Sequence, residues 1–113
     1  SILNRLDAEL YDGILIRFKG DGKRYQLRLR QGDRMDGVAY FRHFETKIGE
    51  WEEVFLPFHS FQASYRGRRL PDYPKLDTSR ISQLGLMISD KQEGNFRLEV
   101  QRIALYFNEH FQT

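Results

Sequence analysis

The chain has no cysteine. Disulfide staples and thiolate metal sites are therefore excluded, and a reducing compartment is favoured. No apolar run approaches the ~20 residues a membrane helix needs, which argues against membrane insertion. The opening Ser1-Ile-Leu-Asn-Arg-Leu-Asp7 has no signal-peptide layout. Internal repeats, low-complexity tracts and linkers are lacking as well. So is a dominant charge: 18 basic and 16 acidic residues leave a formal net charge of +2. That balance disfavours nucleic acid as the main partner.

What the chain does have is alternation. Its 113 residues suit one domain, long enough to bury roughly two-thirds of its unfolded surface. Nine Phe, six Tyr and one Trp supply much of the core. Ile14, Ile16 and Phe18 share one face of a strand over 14–18. Asp21-Gly22 then reads as a tight hairpin turn, because both residues tolerate positive φ. From Lys23 to Gln31, Tyr25, Leu27 and Leu29 turn one way while Arg24, Gln26, Arg28 and Arg30 turn the other. A loop over 32–37 leads to a third strand, Val38 to Glu45, with Tyr40 and Phe44 on one face and Phe41 on the other.

A turn at Ile48-Gly49-Glu50 opens a fourth strand, Trp51 to Leu56, stopped by Pro57, which cannot donate to a ladder. Phe58 and Phe61 pack the corner that follows. Residues 62–76 read as a long basic loop punctuated by Gly67, Pro71 and Pro74, and Asp77-Thr78-Ser79 caps one helical turn. Leu84 to Ser89 is a fifth strand. After Gly94, Phe96, Leu98 and Val100 share a face; the phase then slips before Ile103, Leu105 and Phe107 resume it. Such a slip predicts a β-bulge near Gln101-Arg102. About six short strands with regular turn signals predict an all-β, antiparallel sandwich or jelly roll.

Charge is unevenly spread along this pattern. Residues 17–34 hold Arg17, Lys19, Lys23, Arg24, Arg28, Arg30 and Arg34 against Asp21 and Asp33. Residues 66–80 hold Arg66, Arg68, Arg69, Lys75 and Arg80 against Asp72 and Asp77. Arg24, Arg28 and Arg30 make a stripe on one strand face, and with Tyr40, Arg42 and His43 of the next strand they form the best candidate platform for a ligand or partner. Such a surface suits sugar hydroxyls, acidic protein patches or RNA; a solvated sheet face is the simpler reading. Arg66, Arg68 and Arg69 lie in the long loop, the kind of segment that often carries function. Trp51 either stacks on a ligand or caps the core, and its place at a strand start favours the core.

Catalytic groups are hard to assemble. The histidines His43, His59 and His110 have no metal-ligand spacing. Glu52 and Glu53 point to opposite faces of a strand, and Asp33 and Asp36 sit in a loop. Asp90 and Glu93 flank a turn and form a conceivable calcium site, with ordinary turn acids as the simpler reading. Gly20-Asp21-Gly22 joins two strands and completes no phosphate-binding fingerprint. No cofactor is implied.

Tyr11-Asp12-Gly13-Ile14 and Gly20-Asp21-Gly22-Lys23-Arg24-Tyr25 resemble the opening of the complex I intermediate-associated protein 30 domain family. The resemblance continues through Trp51, Val54, Leu56-Pro57-Phe58, Phe61, Arg66-Gly67-Arg68, Leu76-Asp77, Ile81, Leu84-Gly85, Ser89-Asp90-Lys91, Gly94, Phe96 and Leu98-Glu99-Val100. It implies a galactose-binding-like jelly roll without catalytic residues, and a role in building the membrane arm of respiratory complex I. The family domain usually starts earlier, so the resemblance also implies that N-terminal strands are lacking or supplied by another chain. An unpaired edge would then invite strand exchange or a homodimer. On this reading residues 1–10 are an extension or a remnant of upstream strands, 11–107 the domain and 108–113 a tail.

Three functions follow as expectations. The first is a non-catalytic, protein-binding assembly factor, intracellular, mitochondrial if eukaryotic and cytoplasmic if bacterial. The second is a carbohydrate-binding module, which requires exposed aromatics such as Trp51, Tyr40 and Tyr25 clustered on a concave face. The third, and least favoured, is an RNA-binding accessory domain using the arginine stripe.

Overall fold

A computed structural model of the chain describes residues 10–32, 37–89 and 94–107. Eight strands lie among the described residues: β1 Gly13–Lys19, β2 Arg24–Gln31, β3 Val38–Glu45, β4 Trp51–Pro57, β5 Gln62–Tyr65, β6 Arg68–Arg69, β7 Ile81–Ile88 and β8 Glu99–Tyr106. They form two antiparallel sheets, one ordered β4-β1-β8 and the other β6-β5-β3-β2-β7. The expected sandwich is therefore found, with two strands more than the sequence count.

The core lies where the alternation puts it. Ile14, Ile16 and Phe18 of β1 face Tyr25, Leu27 and Leu29 of β2 and Tyr40 and Phe44 of β3, all buried. Phe18 and Phe44 meet at 5.0 Å between ring centroids. Leu56, Phe58 and Phe61 close one end. Pro57 leads into a 3-10 turn, Phe58–Ser60, and a second such turn, Thr78–Arg80, is capped by the Asp77 carboxylate accepting from the Ser79 N–H at 3.0 Å. The predicted bulge is present: Arg17 pairs with Arg102 and Phe18 with Val100, leaving Gln101 extra.

Three expectations are corrected. Asp21-Gly22 does not close a hairpin. β1 and β2 belong to different sheets, and the segment between them arches from one layer to the other. The same holds for the turn at 48–50 between β3 and β4. The two arches lie side by side: Gly49 N–H donates to the Gly20 carbonyl at 3.0 Å, and Gly22 N–H to Thr46 Oγ1 at 3.0 Å. The Asp21 carboxylate accepts from Tyr25 Oη, Lys23 N–H and Arg97 N–H, tying the arch to the approach of β8. Desolvation pushes the Asp21 carboxyl upward, but these hydrogen bonds outweigh it and hold it below the usual carboxylate range. Burial, and next the hydrogen bond to Asp21, push the Tyr25 phenol up to about 12.

The second correction concerns residues 62–76, which are not all loop. β5 and β6 form a hairpin around Arg66 and Gly67, with φ of 49° and 80°. Two central residues with positive φ fit the twist of the flanking strands. The third concerns strand number: the described residues hold eight strands where about six were expected. One side is nevertheless thinly covered. β7 and β8 are outermost in their sheets; their inward side chains Leu84, Leu86, Ile88 and Leu105, and Leu98 just before β8, are only half-buried, while Val100 and Ile103 are more than a third exposed.

Candidate functional site

Period-2 geometry sends alternate residues of the five-stranded sheet outward. Cross-strand register then sets which of them meet. Gln26 pairs with His43, Arg28 with Phe41, Arg30 with Gln83, Ala39 with Ser64 and Ser64 with Arg69. The outer face thus carries Arg24, Arg28, Arg30 and Arg69 over a floor of small side chains, with Ala39, Ser64 and Ser89 buried beneath. Two shallow depressions lie on it, each about 260–270 Å³, sharing Phe41, His43 and Arg69.

Arg28 donates to Gln26 Oε1 at 2.8 Å. Desolvation, and secondarily the charge of Arg30, lower its pKa. The group stays charged, yet like charge and lost water both raise the energy of the cation. An anion placed there would offset the like charge and supply a counter-charge to the partly desolvated cation. His43 Nδ1 lies 2.9 Å from Ser89 Oγ, and Gln26 Nε2 donates to the same oxygen at 3.4 Å. A histidine beside a serine hydroxyl is the geometry of an activated nucleophile. Ser89 is only 1% exposed, however, so no substrate reaches it in this arrangement, and the trio works as a brace between β2, β3 and β7. Sequence reading missed this pair, because 46 residues separate its members.

The other predicted site residues divide. Tyr40 does not join the platform. It turns into the core, where its hydroxyl donates to the Pro74 carbonyl at 2.7 Å and its ring meets Tyr73. With Tyr40 and Phe44 inward, Phe41 and His43 take the outward positions. Arg42 has the inward phase but sits where β5 has ended, so its side chain bends to Ser60 Oγ at 3.1 Å and the His43 carbonyl. Trp51 neither caps the core nor joins the stripe. It is 42% exposed on the outer face of the three-stranded sheet, with Arg17 and Lys19 each 5.5 Å from its ring centre. Arg66 lies over the Tyr65 ring at the hairpin tip, and Arg68, paired with Tyr65, has the opposite phase from the stripe. Arg69 is the loop arginine that reaches the platform; the β5–β6 pairing that places it there was not visible in the sequence.

Among the described residues no cluster of three or more His, Asp or Glu could hold a metal ion. Asp33, Asp36, Asp90, Glu93 and His110 lie outside the described residues. No helix among the described residues is long and apolar enough to cross a membrane.

A family model described as "Complex I intermediate-associated protein 30 (CIA30)" matches residues 2–100. The chain belongs to this family. It is 29% identical over 104 residues to "Complex I intermediate-associated protein 30, mitochondrial" of Mus musculus, covering 88% of this chain and 32% of that protein. It is 27% identical over 100 residues to "Probable complex I intermediate-associated protein 30, mitochondrial" of Caenorhabditis elegans, covering 85% and 29%. The Drosophila melanogaster relative of the same name as the mouse protein is 26% identical over 108 residues, covering 90% and 36%. The chain spans about a third of the length of these curated relatives. The family is one of complex I assembly factors, as the resemblance in the sequence implied.

Proposed function

We propose that the chain is a non-catalytic protein-binding module that holds a subunit or intermediate during assembly of respiratory complex I or a related membrane complex. The outer face of the five-stranded sheet is its docking surface. Family membership supports the process, and one structural observation supports the choice of surface: Arg28, partly desolvated, stands beside the like charge of Arg30 on an open sheet face. The names of the relatives support a mitochondrial setting for a eukaryotic source. Residues 11–107 are the working domain in this reading. Strand exchange, the other association considered, would use β7 and β8.

A sugar-binding role draws little from the geometry. Tyr25 and Tyr40 are 2% exposed, and Trp51 stands on the other sheet, so these three rings make no common platform.

The test is cross-linking in extract of the source organelle or cell. A photo-reactive residue replaces Gln83 on the basic face or Glu53 on the opposite outer face. Adducts with complex I subunits or assembly intermediates from the Gln83 position, and few from Glu53, are expected. Adducts from neither position, or sugar-bearing material alone, would remove the proposal.

A further inference from the structure

Beside the basic face lies a cleft of about 460 Å³. Its walls include Tyr40, Phe58, Phe61, Leu70, Tyr73 and Leu76, and His59, Arg69 and Lys75 also border it. Two elements build it. The 3-10 turn that follows Pro57 brings Phe58 and, at its end, Phe61, and the chain leaving β6 brings residues 70–76. That second segment is held in place: Leu70 N–H donates to the Ala63 carbonyl at 2.9 Å, Tyr73 N–H to the Leu70 carbonyl at 3.1 Å, and Tyr40 Oη to the Pro74 carbonyl at 2.7 Å. Among the described residues no Asp or Glu lines the cleft. Its volume falls in the range that takes a small ligand or one large side chain.

The cleft and the basic face are one continuous surface, because Arg69 and Gln62 line both the cleft and the adjoining depression over Phe41. We propose that this surface takes an extended acidic segment of a protein partner, with carboxylates along Arg28, Arg30 and Arg69 and one large apolar side chain of the same segment seated in the cleft. The inference rests on the protein-binding reading above and adds the chemistry of the partner. Charge complementarity selects the acidic side chains of the occupant. Carboxylates form charge-assisted, often bidentate bonds with guanidinium groups, and partly desolvated arginines gain most. The apolar walls select the anchor, since buried anchors in pockets dominate interface energetics. RNA fits less well. The ring on the basic face is Phe41, half-buried and edge-on to His43 at 71°, which is no platform for successive bases.

Fluorescence anisotropy with the full chain tests this. The probes are a short labelled polyglutamate peptide with one central phenylalanine, its alanine counterpart, and oligouridylate. The phenylalanine peptide is expected to bind about tenfold more tightly than the alanine peptide, the scale of one buried anchor. Arg69→Glu, at an exposed position, weakens both peptides by about tenfold or more. Tyr73→Ala reduces the difference between the peptides to about twofold or less while the alanine peptide binds as before. If that variant fails to fold, exposed Lys75→Glu serves, and it is expected to weaken the phenylalanine peptide more than the alanine one. Equal affinity for the two peptides, no binding of either at low salt, or tighter binding of oligouridylate overturns the inference. Gln83 cross-links to complex I proteins would survive such a result, so the broader reading and this one fail separately.

Discussion

Gly13 and Gly85 occupy outward-facing positions in opposite sheets, and their surroundings could hardly differ more. A methyl group built on Gly13 would stand 2.4 Å from the Leu56 carbonyl oxygen, 2.6 Å from the Phe55 ring and 2.8 Å from Pro57 Cα. One built on Gly85 would meet nothing within 4 Å. The contrast extends along both faces. On the three-stranded sheet Phe55 packs on Tyr106 at 4.7 Å, Trp51 accepts two cations on its ring, and Glu99 lies 3.8 Å from Lys19. On that face several rings and charges engage one another. On the five-stranded sheet arginines of like charge stand over glycine, alanine and serine. Among the described residues, one outer face engages its rings and charges with one another, while the other keeps Arg28 beside the like charge of Arg30, and the proposed docking surface rests on that contrast.

The sharpest way to break this comparison is Gly13→Ala. It should cost about 1–3 kcal/mol by overpacking, because the obstructing atoms include backbone. Denaturant midpoints measure it, and an unchanged midpoint would contradict the described packing. Next comes the clamp that joins the layers. Asp21 has a lowered pKa, so its contribution is present above the ordinary carboxylate value near 4 and lost as pH falls through the folded value. Tyr25 has a raised one, so its contribution holds below about 10 and is lost as pH rises towards about 12. Melting curves across pH should show both limbs. Asp21→Asn flattens the acid limb and costs about 1 kcal/mol at neutral pH.

Smaller effects separate the two faces. Trp51→Ala should lower stability by about 0.5–1 kcal/mol through the lost cation–π contacts, measured by calorimetry. Gly85→Ala should stay within about 0.5 kcal/mol of the parent. Arg30→Gln should raise stability by a few tenths of a kcal/mol, roughly, and the gain should shrink as salt rises. A clear loss from Arg30→Gln would mean that the arginine stripe serves the fold and not a partner.

Much of the sandwich was legible in the residues. Ile14, Ile16 and Phe18, and the run from Arg24 to Arg30, show one apolar and one polar face, so their direction is fixed by solvent. The slip after Val100 betrays its bulge for the same reason. β3 was illegible in this respect. With Tyr40, Phe41 and Phe44 it offers rings to both sides, and only its register against Tyr25 and Leu29 decides that Tyr40 goes in. The β5–β6 hairpin was hidden because short polar strands carry no apolar alternation, which also concealed Arg69. Asp21-Gly22 showed a reversal but not its kind: a turn within one sheet and an arch between two use the same residues. Of the candidate platform, the Arg24–Arg28–Arg30 stripe was legible, while the His43–Ser89 brace depends on strands far apart in the chain.

The thin cover over β7 and β8 has a consequence for how the molecule comes apart. Amide protons protected by only one neighbouring ladder, above side chains that water already touches, exchange through small openings and do not wait for the whole fold to melt. In deuterated solvent the amides of β7 and β8 should therefore lose protection before those at the centre of β1 and β2, which hold label out longest.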